Sequence, residues 1–225
     1  MTQATVRSRR ETLLAAAATA GVMGVAHYFP DRDDGSGSIL AGLSAFVAVA
    51  LGLAAVATAR PLERRSASDH ARIAIFSIGL GIALGLANLS ANYGMAMLDP
   101  AVHQGMVERW ANFSPWSMVV TGPMTEEIIF RLLLMGGVGW LASRFTKNPR
   151  TIFLVALGVS ASAFGLVHIF YGGIEGLLYS IVVAVKAGAA GLVLGWIFWR
   201  WGLPYSFACH GTANAVHMLL IPAVF

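Results

Sequence analysis

The 225 residues are 57% apolar and only 12% charged, with a mean hydropathy of +0.70, more apolar than a soluble domain of this length. The net charge of +4 comes without a basic stripe interleaved with aromatics, which argues against a nucleic-acid partner. A single cysteine, Cys209, cannot form an internal disulfide.

Apolar runs of about 20 residues, the length that crosses a bilayer, occur at 12–29, 38–59, 71–98, 116–142, 151–171, 174–199 and 203–225. The expected fold class is therefore all-α, a polytopic transmembrane helix bundle of about seven spans. The first run follows Arg7, Arg9 and Arg10 and contains Ala18-Thr19-Ala20, but too few apolar residues precede that triplet for a cleaved signal, so it reads as a retained anchor. In the third run Gly81-x-x-x-Gly85, and in the sixth Gly191-x-x-x-Gly195, have the small-residue spacing that lets helix backbones approach closely. Asn88 and Asn92, also in the third run, either line a cavity or bond between helices. The longest connection, about 17 residues from Asp99 to Pro115, is too short for a soluble domain. The reading is one membrane domain over 1–225, with three spans and a loop in 1–115 and a four-helix core in 116–225. No inverted repeat of the transporter kind is visible.

Loop charge gives an orientation. Arg60, Arg64, Arg65 and Arg72, then Arg144, Lys147 and Arg150, then Arg200 fall on the same side as the basic N-terminus, whereas the other side holds only Arg32 and Arg109. By the positive-inside rule the N-terminus is cytoplasmic. Arg131 and Lys186 lie within spans.

Three polar patterns interrupt the C-terminal spans: Glu126-Glu127-x-x-x-Arg131, Phe164-x-x-x-His168 and His210-x-x-x-Asn214. A charged residue at bilayer depth costs about 2.5–3.5 kcal/mol on insertion scales, so each needs a polar partner or a wet cavity. Adjacent glutamates point about 100° apart on a helix and do different jobs. Arg131 shares a face with Glu127 at i, i+4 and can pair with it. That leaves Glu126 as a carboxylate whose apolar surroundings and charged neighbour favour work as a general base. Phe164 and His168 stack one turn apart; the ring excludes water and lipid, and the imidazole can share proton transfer. His210 and Asn214 can both donate toward one point, as an oxyanion requires. His217 continues their stripe as a packed, hydrogen-bonded residue. By helix length these spans do not bring the three patterns to one depth: Glu126 and His168 fall in the outer half, and His210 falls nearer the inner face. Lys186 either snorkels along its own helix or approaches the glutamates.

In order and spacing the three patterns resemble those of the CPBP family, the CAAX proteases and bacteriocin-processing enzymes also called Abi proteins. The likeness spans roughly 116–217 and includes Pro123 and the Phe130-Arg131 pair; the first three spans share only general character. It implies an integral-membrane glutamic endopeptidase in which Glu126 activates water with help from His168, His210 and Asn214 form the oxyanion hole, and Glu127, Arg131 and Phe164 support them. No cofactor is implied. Two histidines and two glutamates leave a divalent metal open, although His-Glu-x-x-His is absent and an asparagine opposite the glutamate suits an oxyanion better.

Competing chemistries are less well served. Every aspartate lies in or beside a loop, which disfavours an aspartyl protease; Ser160 and Ser162 near His168 keep a serine type formally open; Cys209 diverges from its neighbour His210 by about 100°. The alternative function is a catalytically silent membrane partner using the same polar core. Expected partners are the lipid bilayer and a membrane-associated peptide or protein substrate whose identity the residues leave open, as they do the oligomeric state. An alanine- and glycine-rich chain without organellar signals fits a bacterial plasma membrane.

Overall fold

The computed structural model describes residues 66–111, 117–171 and 177–224, and among these every element is a helix. In chain order they are α1 (Ala67–Leu98), α2 (Pro100–Ala111), α3 (Met118–Phe145), α4 (Pro149–Tyr171), α5 (Leu177–Trp201) and α6 (Leu203–Val224). All but α2 are long and apolar enough to cross a membrane. They match the last five of the seven expected spans within a few residues. The expected spans 12–29 and 38–59 lie outside the described residues.

Where the helices depart from the sequence reading, local capping explains it. α1 begins four residues before its apolar run because Ser66 and Asp69 form a reciprocal capping box: the Asp69 N–H donates to Ser66 Oγ at 3.2 Å and the Ser66 N–H to Asp69 Oδ2 at 3.3 Å. Arg72, expected in a loop, is thereby helical. The stretch after Asp99, read as a loop, is largely the helix α2. Asp99 Oδ1 accepts from the Ala101 N–H at 2.9 Å, and Pro100 occupies the first helical position, where a missing N–H costs nothing. The α2 residues Val102 and Met106 then bury against Met95 and Ala96 of α1 and Tyr179 and Val183 of α5. Asn148 starts α4 in the same way, its Oδ1 taking the Arg150 N–H at 3.0 Å.

The described residues divide into two compact units, one holding 125–159 and the other 66–124 and 160–224. In the second, α1 lies along α6 at close range: a Cβ added at Gly85 would fall 2.7 Å from the Ala213 carbonyl, and one at Gly81 would overlap the Cys209 carbonyl. The α5 contact is equally tight, with Gly191 3.1 Å from the Ala161 Cα by the same measure and Ser206 Oγ of α6 donating to the Leu194 carbonyl of α5 at 3.0 Å. Leu194, Ile197 and Cys209 are fully buried there. In the 125–159 unit the buried residues include Glu127, Ile128, Phe130, Arg131, Leu133 and Met135, together with Ala156 of α4. Large apolar residues such as Ile75, Leu154, Val185 and Leu219 are exposed, as expected of helices whose solvent is lipid.

Candidate active site

α3 is not uniformly α-helical. Ser117–Thr121 and Glu127–Met135 are wound as π-helix, with the α-helical turn Gly122–Glu126 between them. Such π segments are rare and gather at functional positions. Pro123, which is buried, supplies one reason for the first: it has no N–H to give back to the carbonyls of Val119 or Met118. The second begins between the two glutamates, so Glu126 closes an α turn and Glu127 opens a π one.

Glu127 and Arg131 form the ion pair that their spacing predicts. Arg131 Nε lies 3.5 Å from Glu127 Oε2, and both side chains are essentially inaccessible. Glu126 is partly buried.

The two histidine patterns converge on one phenyl ring. Phe164, 2% exposed, lies 4.4 Å centroid to centroid from His168 at a tilt of 55°, and 5.8 Å from His210, edge to face at 80°. The expected difference in depth between these two patterns is therefore not realised: Gly191 lets α4 and α5 close to contact beside Phe164, and the ring bridges to α6. His168 Nδ1 donates to the Phe164 carbonyl at 2.7 Å, which fixes the tautomer and makes Nε2 the basic nitrogen. His210 is buried on α6.

One turn beyond His210, the Asn214 amide donates from Nδ2 to the Met118 carbonyl at 2.8 Å. That carbonyl is one of the two that Pro123 leaves short of a donor. Gly211 allows the approach, since a Cβ there would stand 2.9 Å from the Val119 carbonyl. The bond sets the orientation of the Asn214 carboxamide, with one N–H on Met118 and the second on the same planar nitrogen. Met118 carries no motif signal because a backbone carbonyl has no side-chain signature; Pro123 five residues later is the hint that the sequence offers.

Lys186 donates to Asn92 Oδ1 across the α1–α5 contact. Asn88 and Asn92 bond between helices, to the buried His217. Cys209 and Ser160 are buried and Ser162 is exposed. Among the described residues no three His, Cys, Asp or Glu side chains are grouped as metal ligands would be.

Residues 109–216 match the family model of Rce1-like type II CAAX prenyl endopeptidases, which is consistent with CPBP family membership. Neither the comparison with curated proteins nor that with solved structures finds a match. The matched stretch covers most of α3 to α6, four of the five helices long and apolar enough to cross a membrane.

Proposed function

We propose that this CPBP-type chain is an intramembrane glutamic endopeptidase that cleaves a peptide bond at the bilayer, with prenylated CAAX-type segments as the substrate class favoured by the Rce1-like match. Glu126 takes a proton from water as the oxygen attacks the scissile carbonyl, with His168 Nε2 sharing and orienting that proton. The carbonyl oxygen becomes an oxyanion, stabilised by N–H groups of His210 and Asn214. Collapse breaks the C–N bond, and the proton held by Glu126 passes to the leaving amine. Arg131 holds the second carboxylate, that of Glu127, ionised and in place.

The observation that carries this reading is the seating of His168 and His210, from two separate sequence patterns, against the single ring of Phe164. A packed aromatic shared by two imidazoles is a reason to keep both side chains in one rotamer beside an apolar, water-poor volume. The experiment compares membrane proteomes of cells carrying the wild type and Glu126→Gln. A membrane-protein fragment present with the wild type should fall by at least about 10²-fold in the variant, the loss expected for removing a general base. Equal cleavage at equal expression would overturn the enzyme assignment and favour a silent binding partner.

A further inference from the structure

Outside the residues assigned to chemistry, four polar side chains from three helices meet inside the bundle: Lys186 of α5, Asn88 and Asn92 of α1, and His217 of α6. Lys186 Nζ donates to Asn92 Oδ1, Asn92 Nδ2 lies 3.0 Å from His217 Nε2, and the Asn88 amide lies 3.3 Å from His217 Nδ1. Asn92 and His217 are buried.

The lysine gives this chain a direction. An ammonium can only donate, so the atom of Asn92 that faces Lys186 must be its oxygen, and the atom that faces His217 must be its NH₂. His217 Nε2 must then accept, which requires it to be bare and the ring neutral. The proton resides on Nδ1 and is donated to Asn88. The carboxamide of Asn88 therefore presents oxygen to the ring, the half-turn alternative to the nitrogen assigned there. The order Lys186 to Asn92 to His217 to Asn88 leaves no bond with two donors or two acceptors.

His217 lies on the α6 face that also carries His210 and Asn214, at i, i+4 and i+7. Gly81 and Gly85, on the α1 stripe that runs on to Asn88 and Asn92, bring the α1 backbone against α6 where the relay attaches. We infer that the Lys186–Asn92–His217–Asn88 relay is a positioning device: it holds His217 as the Nδ1–H tautomer and locks the rotation of α6, and with it the aim of the Asn214 amide. The second half rests on the reading of Asn214 as an oxyanion donor.

The test uses the full chain in detergent, labelled with ¹⁵N at histidine and asparagine side chains, with His217 and Asn214 assigned by single substitution. The wild type should show an unprotonated Nε2 and a protonated Nδ1 at His217. Asn92→Asp, which still accepts from Lys186 but has nothing to donate, should put a proton on Nε2. Asn88→Asp, the same change of charge in the same cluster, should leave the wild-type tautomer. Lys186→Met should give a mixture of tautomers, and Lys186→Arg should restore one. An Nε2–H or an imidazolium in the wild type, or an Asn92→Asp protein that keeps Nε2 bare, would overturn the relay.

For positioning, Asn92→Leu, or Lys186→Met if that variant does not fold, should shift and broaden the Asn214 side-chain amide signal. Cleavage of a prenylated peptide should lose about tenfold in kcat with KM unchanged. An unmoved Asn214 signal would overturn the positioning role. If the wild type cleaves no such peptide while the tautomer and Asn214 results hold, the proposed function fails and the relay stands.

Discussion

Asn214 illustrates how little freedom a proposed oxyanion donor has. Its carboxamide is held by the Met118 carbonyl at 2.8 Å, so it is organised before any charge develops. Asn214→Ala should slow turnover by about 10²–10³-fold with near-normal substrate binding, because the bond that is lost strengthens only as the oxyanion forms; a kcat and KM comparison checks this. Arg131 is a different kind of residue. Both it and Glu127 are inaccessible, and Arg131→Ala strands a buried carboxylate, a loss of about 3–5 kcal/mol for a broken buried pair. Thermal stability in detergent should fall accordingly. The Glu127–Arg131 pair was legible in the sequence because i, i+4 spacing has one geometric meaning on a helix. The Phe164–His210 contact was not, since no spacing rule connects residues on different helices.

At the level of the elements, the decisive contact is α1 on α6. Gly85→Ala places a methyl 2.7 Å from the Ala213 carbonyl, a backbone atom that cannot turn aside, and should cost about 1–3 kcal/mol as overpacking. Gly79→Ala on the same helix meets nothing within 4 Å and should be neutral or stabilising by up to about 1 kcal/mol from helix propensity. Melting the two variants side by side separates packing from propensity. The small-residue spacing announced that α1 packs closely, but not against which helix. Span existence was read correctly for the described helices because apolar length is a strong signal. Span ends were not: the capping box at Ser66 and the Asp99-Pro100 start of α2 are local polar signals beside long apolar runs.

For the molecule as a whole, the distribution of loop cations implies an orientation that reporter fusions can measure. Fusions after Arg65 and Lys147 should score cytoplasmic, and fusions after Asp33 and Asn112 external; external signals at both Arg65 and Lys147 would reverse the orientation and leave the chemistry untouched. Global stability also bears on one residue of α3. A proline inside a helix typically costs about 3 kcal/mol, and Pro123 is where α3 gives up N–H donation to the very carbonyl that Asn214 takes. Position 123 is therefore a site of conflict between robustness and activity: evolution toward heat tolerance alone would remove the proline, return the Met118 carbonyl to its own helix, and release Asn214 from its anchor.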